Sequence, residues 1–466
     1  MKQETYSSFD VIIVGAGPAG IFTALELVRS KKGFKILILD KGNNLESRFC
    51  PKDYNGCKKC NKCSIISGWG GAGSFSDGKL VISKETGGNL KDYINDEDLD
   101  YLLDRVDKYY LNFGAPGKLY GNDKRIEEIN KLSSSFGLKM IPSRVRHLGT
   151  DNSYNVLNEM YIFLKNKCDI KLNTCVHEII VEDDKIVGVS VGGGYVYKCK
   201  YLVIAPGREG SDWLNKKVSK LGIKTFLNPI DLGVRVEIPD SIGLPITDGV
   251  YESKFIYYTK CFNDKVRTFC MCPNGEVISE YSNGVITVNG HSYENSKTDN
   301  TNFSILVSKN FTKPFNEPVL YGEHISKLSN MLSGGIIVQR LVDLINGHRS
   351  TYDSLKKSSI VPTLKDAVPG DLGLVLPYRY VMNIIEMLKV MDNITPGIYG
   401  DNTLLYGVEV KFYSSRVEVD NDLETKIKGL YVAGDGSGIT RGLMQSSVSG
   451  IIVAKNIIEE YNIVQI

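Results

Sequence analysis

The pattern of apolar residues near the start of the chain predicts a strand, a helix and a second strand. Residues 10–15 (DVIIVG) form an almost continuous apolar run, which is typical of a strand buried on both faces of a parallel sheet. A Gly-rich turn follows, then residues 21–30 (IFTALELVRS) with helical spacing of apolar positions, and then the apolar run 34–40 (FKILILD). Together these segments predict a βαβ unit of about thirty residues.

The remaining pattern predicts a discontinuous first domain interrupted by a second one. Amphipathic helical spacing predicts a helical insertion over residues 85–167, and residues 170–204 are typical of a strand, a hairpin and a strand. Short alternating strands mixed with helices over residues 226–412 predict an inserted α+β domain. We therefore expect an α/β fold in which residues 1–225 and 413–466 form one domain.

The first candidate site is the turn GAGPAG (residues 15–20) between the first strand and the first helix, called the glycine turn below. Its glycines hold the positions of the dinucleotide-binding fingerprint, and Asp40 ends the second strand, 20 residues after Gly20. Gly15 permits the tight turn, and Gly17 lets the backbone approach a pyrophosphate at the helix N-terminus. Asp40 is expected to accept a hydrogen bond from an adenosine ribose hydroxyl. The alternative is a structural Gly-rich turn. The predicted nucleotide contacts in the turn are Gly15, Gly17, Pro18, Ala19 and Gly20.

Two further motifs favour FAD over NAD as the cofactor. Residues 429–435 (GLYVAGD) place Asp435 after an apolar strand and before a Gly-rich turn and a long helix, and residues 202–207 (LVIAPG) form a short strand motif. In this order the three motifs resemble the glutathione-reductase-like flavoprotein superfamily. The resemblance implies that Asp435 binds a ribitol hydroxyl and that the following helix directs its N-terminus at the pyrimidine end of the flavin. The other FAD contacts that we assign are Lys41, Val176, Ala205, Gly207, Gly434, Gly442, Leu443 and Met444.

A narrower resemblance covers almost the whole chain. Residues 68–80 (GWGGAGSFSDGKL), 146–151 (RHLGTD), 267–277 (RTFCMCPNGEV) and 434–442 (GDGSGITRG) are similar to motifs of a largely uncharacterised family of FAD-dependent dehydrogenases. The resemblance implies that the 68–80 loop lies against the flavin, although a purely structural Gly-rich loop is the alternative. The residues implied to contact or surround the flavin are Gly70, Gly71, Gly73, Ser74, Ser76, Asp77 and Lys79. The candidate catalytic residues are Lys79, Asp77, Arg441, which would bind a substrate carboxylate, and His147, which would act as a general acid.

The cysteines suggest chemistry beyond a plain flavoprotein. The cysteines lie just before the Gly-rich 68–80 loop, called the glycine loop below. Their spacing, C-P-x5-C-x2-C-x2-C, matches what a [4Fe–4S] cluster needs. Zinc held by four thiolates and a redox-active dithiol are the alternatives, and an incidental run is a third. Cys270 and Cys272 share one face of a predicted strand, which we interpret as a buried structural pair. The candidate metal ligands are Cys50, Cys57, Cys60 and Cys63.

Composition and charge argue against two classes of protein. The chain has 466 residues with 56 Lys and Arg against 54 Asp and Glu, a balance that argues against a nucleic-acid or membrane-surface protein. The first ten residues contain no apolar run typical of a signal peptide, and we expect a cytoplasmic protein. We predict an FAD-dependent oxidoreductase that exchanges hydride or electrons with a small organic substrate.

The redox partner and the alternatives remain open at this point. The electron donor would be NAD(P)H or ferredoxin, and the cysteine run would relay electrons if it binds a metal. A second strand–GxGxxG–helix unit is not visible, so a dedicated NAD(P)H domain is not expected. A flavin monooxygenase, a tRNA-modifying flavoprotein and a non-enzymatic electron carrier would share the same FAD domain.

Overall fold

A computed structural model gives the fold. It describes residues 6–51, 60, 62–76, 78–121, 124–248, 250, 252–282, 284–292, 297–315 and 317–464. Cys57 and Asp77, two of the predicted site residues, lie outside the described residues.

The strands of the described residues are numbered in chain order. They are β1 (Tyr6–Val14), β2 (Ile36–Leu39), β3 (Lys79–Ile82), β4 (Lys139–Ile141), β5 (Arg144–His147), β6 (Asp169–Lys171), β7 (Val176–Glu182), β8 (Lys185–Val191), β9 (Val196–Ile204), β10 (Thr225–Phe226), β11 (Ile230–Pro239), β12 (Lys254–Tyr258), β13 (Lys265–Cys272), β14 (Glu276–Ser282), β15 (Val285–His291), β16 (Asn300–Lys309), β17 (Ile337–Arg340), β18 (Val368–Pro369), β19 (Leu404–Lys411), β20 (Arg416–Val417) and β21 (Leu430–Val432).

The α-helices are numbered in the same way, and short 3-10 turns are left without labels. They are α1 (Pro18–Arg29), α2 (Asp96–Asn112), α3 (Lys124–Ser135), α4 (Thr150–Lys165), α5 (Ser211–Lys220), α6 (Asp240–Thr247), α7 (Pro318–Ser333), α8 (Leu341–Ile345), α9 (Tyr352–Lys356), α10 (Tyr378–Met391) and α11 (Leu443–Val464). No helix in the described part of the chain is both long enough and apolar enough to cross a membrane.

The chain divides into two units. Unit 1 comprises Met1–Lys118, Arg146–Asn228 and Ser414–Ile466, and unit 2 comprises Leu119–Val145 and Pro229–Tyr413. The predicted helical insertion 85–167 therefore does not stay with the first domain as a whole. The reason is that β4 pairs antiparallel with β12, which places this part of the insertion at the edge of the unit 2 sheet.

Unit 1 is built on a mostly parallel sheet. The strand order is β6-β2-β1-β9-β8-β7, and β21 also pairs with β9. β1 runs parallel to β2 and to β9, with Val14 opposite both Leu39 and Ile204. Val11, Ile12 and Ile13 are completely buried, as the continuous apolar run predicts for a central parallel strand. This sheet confirms the predicted α/β class.

Unit 2 is built on an eight-stranded, mainly antiparallel sheet. Its order is β18-β17-β19-β11-β16-β13-β12-β4. β11 lies at its centre, antiparallel to both β16 and β19, and nine of its ten residues are buried. Apolar residues of α10, including Ile384, Met387 and Leu388, belong to the same buried cluster as the residues of β11. Burial of this cluster is the main favourable contribution to the stability of unit 2.

Candidate functional site

Most of the predicted cofactor elements of unit 1 meet at one edge of its sheet. The strands β2, β1, β9 and β21 are neighbours and run parallel, so their carboxyl ends lie at the same edge. Asp40 follows β2, the glycine turn follows β1, Ala205 and Gly207 follow β9, and Asp435 follows β21. In open α/β sheets, ligands bind outside the carboxyl ends of the strands. The topology therefore brings together motifs that are about 400 residues apart in the chain.

The glycine turn has a backbone path that other residues would block. Gly15 has a φ of +111°, and a Cβ placed on it would lie 2.0 Å from the carbonyl oxygen of Ala205. A Cβ on Gly20 would lie 2.0 Å from the carbonyl oxygen of Gly15. Gly15 is thus required for the close approach of the β1 and β9 ends, and Gly20 for the close packing of α1 on the turn.

The N-terminus of α1 is open to an anion. Gly17 is the N-cap and offers no side-chain cap, Pro18 occupies the first turn, and that turn holds no acidic residue. A Cβ on Gly17 would meet no atom closer than the Cα of Gly71, at 3.9 Å. The unbonded N–H groups and the dipole of the helix favour a negative group such as a pyrophosphate at this point.

Asp40 joins the glycine turn to the segment before β7. Its carboxylate accepts hydrogen bonds from the N–H of Ala16 at 2.8 Å and from the N–H of Gly42 at 2.7 Å. The N–H of Thr174 donates to the carbonyl of Asp40 at 2.8 Å, which brings the start of β7 at Val176 to this corner. A carboxylate has about four acceptor positions, so Asp40 keeps capacity for a ribose hydroxyl.

Lys41, the residue after Asp40, forms an ion pair. Its Nζ lies 2.8 Å from the carboxylate of Glu209, which also accepts a hydrogen bond from the hydroxyl of Ser67. Glu209 follows the turn after β9, so this ion pair bridges the ends of β2 and β9. Lys41 and Glu209 are both partly exposed, and an ion pair of this kind is weak by itself. The predicted contact of Lys41 with the cofactor stays a prediction.

Asp435 closes the turn between β21 and α11. Its Oδ1 accepts hydrogen bonds from the hydroxyls of Thr440 at 2.9 Å and Ser446 at 2.7 Å. Its Oδ2 accepts one from the N–H of Gly442 at 3.1 Å. Gly442 has a φ of +89° and open space around its Cβ position. Within the described part of the chain Oδ2 accepts one bond, so it can also accept a hydroxyl of a bound ligand.

The start of α11 contains a buried amide that sequence reasoning missed. Gln445 is 2% exposed and donates through Nε2 to the carbonyl of Thr86 at 2.7 Å. Its Oε1 and the nearby hydroxyl of Thr86 are buried and have no hydrogen-bond partner among the described residues. The N–H of Arg441 donates to the carbonyl of Gly87 at 2.5 Å, so residues 86–87 and the start of α11 are joined. Buried polar atoms without partners are expected where a ligand or water completes a site.

The glycine loop is held by a buried arginine, Arg48, that sequence reasoning also missed. Arg48 is 5% exposed and has no carboxylate as a hydrogen-bond acceptor within the described residues. Burial lowers the pKa of this guanidinium to about 10, while the charges of Asp40 and Cys63 act in the opposite direction. The guanidinium instead donates to the carbonyls of Ser64 (2.8 Å), Ile65 (2.7 Å), Trp69 (2.5 Å) and Gly71 (2.8 Å), and to the hydroxyl of Ser74 (2.8 Å).

The same loop packs between the glycine turn and α11. The N–H of Gly70 donates to the carbonyl of Ala16 at 2.7 Å, and a Cβ on Gly73 would lie 2.7 Å from Leu443. Gly71 lies against Gly17. The predicted residues Gly71 and Gly73 are therefore placed beside the glycine turn and the start of α11. The hydroxyl of Ser74 is used within the loop, since it donates to the carbonyl of Trp69 and accepts from Arg48.

The structure describes three of the four candidate catalytic residues. Lys79 begins β3 and His147 ends β5, and the N–H of Leu148 donates to the carbonyl of Gly78 at 3.0 Å. Lys79 is next to Gly78 in the chain and His147 is next to Leu148. This contact therefore brings Lys79 and His147 near each other. Arg441 lies just before α11. Their catalytic roles stay predictions.

The cysteine run is described only in part. Cys50 and Cys63 are half-buried and Cys60 is exposed. Within the described residues, which exclude Cys57, no group of three or more His, Cys, Asp or Glu side chains is arranged to hold a metal ion. The structure therefore gives no support to the predicted metal centre, and the four-cysteine set stays a sequence-based prediction.

A narrow cavity lies where the glycine turn, the glycine loop and α11 meet. It is partly open to solvent and about large enough for one water molecule, and its largely apolar lining includes Tyr110, Leu148, Val156, Leu157 and Leu443. Burial raises the pKa of Tyr110 to about 12, so this phenol is neutral at physiological pH. Small-molecule sites usually measure about 300–1,000 Å³. We therefore do not assign this cavity by itself to a flavin ring with its substrate.

Two stretches of the chain match known protein families. Residues 246–412 match the family described as "FAD-dependent protein, C-terminal domain-like". Residues 13–54, which contain the glycine turn and Asp40, match the "NAD(P)-binding Rossmann-like domain" family. These matches support an FAD-dependent oxidoreductase. At this coarse level the predicted cofactor and enzyme class are confirmed, whereas the finer glutathione-reductase-like assignment stays a prediction.

Individual relatives of this chain are distant. An uncharacterized protein of Clostridium beijerinckii is 26% identical over 478 residues, covering 97% of this chain and 81% of that protein. A 3-ketosteroid-Δ4-(5α)-dehydrogenase from Rhodococcus jostii RHA1 aligns with a TM-score of 0.45 at 12% identity, covering 98% of both chains. An L-proline dehydrogenase from P. horikoshii aligns with a TM-score of 0.40 at 14% identity, covering 98% of this chain and 95% of that one. These two alignments bear on neither substrate nor reaction.

The residues of unit 1 fit FAD on three observations. The N-terminus of α1 carries no side-chain cap, open space surrounds the Cβ positions of Gly207 and Gly442, and Gln445 Oε1 lacks a partner among the described residues. A bound dinucleotide would satisfy each of these groups, because it supplies an anion, close backbone contacts and hydrogen-bond donors.

Proposed function

We propose that FAD binds along the carboxyl edge of the unit 1 sheet, with its adenosine end at Asp40 and its ribitol at Asp435. The observation that carries the proposal is the arrangement of four parallel strands whose ends present Asp40, the glycine turn, Gly207 and Asp435 side by side. The two carboxylates follow β2 and β21, on opposite sides of the strands β1 and β9. The open N-terminus of α1 follows β1 between them, where a pyrophosphate would lie.

The remaining contacts position the reactive end of the site. Arg48 holds the carbonyls of the glycine loop inward, which leaves the backbone of Gly71 and Gly73 beside the glycine turn and α11. The N-terminus of α11 supplies a positive dipole end, and Gln445 adds a buried amide at its first turn. When bound, FAD would supply hydride or electron transfer to and from a small organic substrate.

Three side chains are proposed for the substrate. Arg441 precedes α11 and would bind a carboxylate of the substrate with two parallel hydrogen bonds. His147 and Lys79 would donate or accept the proton that accompanies hydride transfer. The electron donor would be NAD(P)H or a ferredoxin, and the lack of a second Gly-rich nucleotide motif in the sequence favours transient binding of that donor.

The test is flavin occupancy in variants of Asp435. Asp435→Ala and Asp435→Asn are purified beside wild type. The FAD content of each protein is measured by the absorbance of released flavin, and the dissociation constant for FAD is measured by flavin fluorescence. Hydrogen bonds to a charged group contribute about 1.5–3 kcal/mol. We therefore expect the dissociation constant to rise by roughly tenfold to a hundredfold.

The matched control is Asp100→Ala, which removes an exposed carboxylate of α2 that pairs with Lys84. This variant should keep the wild-type FAD content. Full FAD occupancy with an unchanged dissociation constant in both Asp435 variants would overturn the assignment of Asp435. Asp435→Asn is the sharper variant, because the amide oxygen can still accept the hydroxyls of Thr440 and Ser446.

A further inference from the structure

Two cysteines of β13 in unit 2 bring their sulfurs unusually close together. Residues two apart in a regular strand have Cα atoms about 6.6 Å apart, with parallel side chains. The Sγ atoms of Cys270 and Cys272 lie only 3.9 Å apart. This distance exceeds the bond length of a disulfide, about 2.05 Å, so both residues are thiols in this structure.

The local backbone explains the approach of the two sulfurs. Cys270 has a φ of +48°, in the left-handed region that non-glycine residues seldom adopt. Against β16, Phe269 pairs with Ser304 and Cys272 pairs with Asn302, so β13 contains one extra residue between these pairs. The extra residue is a β-bulge, which compresses and bends the strand at the cysteines. A bulge of this kind typically serves to redirect a side chain.

A buried arginine contacts both cysteines. The Nη2 of Arg235 donates to the carbonyl of Cys270 at 2.6 Å and lies 3.4 Å from the Sγ of Cys272. Arg235 is fully buried, and its other nitrogens donate to Asn302 at 2.8 Å and Ser304 at 2.8 Å. A guanidinium at this distance stabilises a thiolate more than a thiol.

A buried carboxylate, Glu409, lies beside Arg235. Glu409 is fully buried and contacts two cations, Arg235 at 3.3 Å and Lys411 at 2.9 Å. Although burial raises the pKa of Glu409, Lys411 and Arg235 hold it below its ordinary value, so Glu409 is ionised. One carboxylate thus faces two cations. The Nη2 of Arg235 remains beside Cys272 Sγ, where a guanidinium favours a thiolate.

We propose that Cys270 and Cys272 form a redox-active dithiol that undergoes exchange with small-molecule disulfides. The thiolate of Cys270, which is the more exposed of the two, attacks one sulfur of the external disulfide and releases the first external thiolate. The thiolate of Cys272 then attacks Cys270 Sγ and releases the second external thiolate. The two protein thiols lose two protons and two electrons, and one external disulfide becomes two thiols.

The position of Arg235 favours the reverse step as well. When an external thiolate attacks Cys270 Sγ of the oxidised pair, Cys272 is the leaving group. Its developing negative charge forms beside the guanidinium of Arg235. A leaving thiolate that is stabilised in this way departs faster. The buried Cys272 therefore serves as the resolving and leaving cysteine, and the half-buried Cys270 as the one that meets the external reagent.

The experiment titrates the full-length protein with mixtures of glutathione and its disulfide. After acid quenching and alkylation, digestion with trypsin yields the peptide 268–297, whose only cysteines are Cys270 and Cys272. At a low fraction of glutathione disulfide we expect this peptide to be doubly alkylated. As that fraction rises, it should become an unalkylated peptide with an internal disulfide, two hydrogens lighter than the reduced peptide. Mass spectrometry of this peptide does not depend on FAD or on any enzymatic activity. The result therefore tests the dithiol proposal independently of the proposed function.

Single variants separate the roles of the two cysteines. Cys272→Ser should accumulate a stable glutathione adduct on Cys270, whereas Cys270→Ser should form an adduct on Cys272 at least tenfold more slowly because Cys272 is buried. Cys175→Ser removes an exposed cysteine of unit 1 and should leave the transition of the 268–297 peptide unchanged. A peptide that stays doubly alkylated at every ratio would overturn the proposal, as would independent glutathione adducts on both cysteines of the wild type.

Discussion

Gly450 of α11 lies directly against the carbonyl of Ala19 in α1. A Cβ on Gly450 would lie 2.1 Å from the carbonyl oxygen of Ala19, and the hydroxyl of Thr23 donates to the carbonyl of Gly450 at 3.1 Å. The helices that follow the first and the last motif of the chain therefore touch backbone to backbone. This contact sets the distance between the N-terminus of α1 and the turn closed by Asp435.

We expect Gly450→Ala to separate these two helices and destabilise unit 1. Overpacking of this kind usually costs about 1–3 kcal/mol. The matched control is Gly117→Ala, because the Cβ position of Gly117 has no atom within 4 Å. Thermal unfolding followed by circular dichroism should show a lower melting temperature for Gly450→Ala and little change for Gly117→Ala. Equal melting temperatures for all three proteins would contradict the contact.

We expect Arg48→Met to disorder the glycine loop and to weaken FAD binding. The substitution leaves the carbonyls of Ser64, Ile65, Trp69 and Gly71 without their donor, and an unsatisfied buried acceptor costs about 1–3 kcal/mol. FAD content and flavin fluorescence measure the effect, and limited proteolysis between residues 64 and 76 measures the order of the loop. Arg48→Lys should restore little, since an ammonium lacks the planar set of donors.

The control for this experiment is Arg208→Met, which removes an exposed arginine just after β9. It should retain FAD and resist proteolysis like wild type. Arg48 acts through the loop and is a positioning residue. If Arg48→Met loses neither FAD nor loop order, the arginine contributes only to packing.

Buried thiols of unit 1 predict a dependence of stability on alkaline pH. Burial raises the pKa of Cys199 to about 12, whereas the thiol in the unfolded chain titrates near its ordinary value of about 9. The folded state thus favours the protonated thiol. The stability that this preference contributes is lost as the pH rises above the pKa of the thiol in the unfolded chain. We expect the free energy of unfolding to fall by about 1–2 kcal/mol between pH 8 and pH 10.5 through this group.

The measurement is urea denaturation of wild type and Cys199→Ala at both pH values. The variant removes one titrating thiol and keeps every other group, so its free energy of unfolding should change less with pH. Parallel pH dependence in the two proteins would show that Cys199 does not titrate differently on folding. Cys60 and Cys175, which are exposed, should react with thiol reagents at pH 8 while Cys199 does not.

Direct metal analysis can decide among the cluster, zinc, redox-dithiol and incidental interpretations of the cysteine run before the glycine loop. For a [4Fe–4S] cluster we expect about four irons and broad absorbance near 400 nm in protein purified without oxygen. One zinc without iron would indicate a structural thiolate site. Flavin absorbance without either metal would contradict a metal role for Cys50, Cys57, Cys60 and Cys63. Cys60→Ser should then leave the FAD spectrum unchanged.

The sequence alone determined the parts of the protein that are encoded locally. The strand, turn, helix and second strand of the glycine motif are adjacent in the chain, so apolar spacing and glycine positions were sufficient to predict β1, α1, β2 and Asp40. Asp435 was found for the same reason, since its strand, turn and helix follow one another directly. The topology then placed both motifs at one sheet edge, as parallel strands require.

Only the tertiary structure decided the contacts between distant segments. Arg48 binds the glycine loop, Gln445 contacts Thr86, and Arg235 reaches the bulge at Cys270, and none of these pairs has a spacing that local periodicity reports. The placement of β4 in the unit 2 sheet depends on its pairing with β12, which is more than a hundred residues away. Side-chain hydrogen bonds and strand pairings of this kind are selected by the packed fold, because many segments of similar pattern could satisfy them.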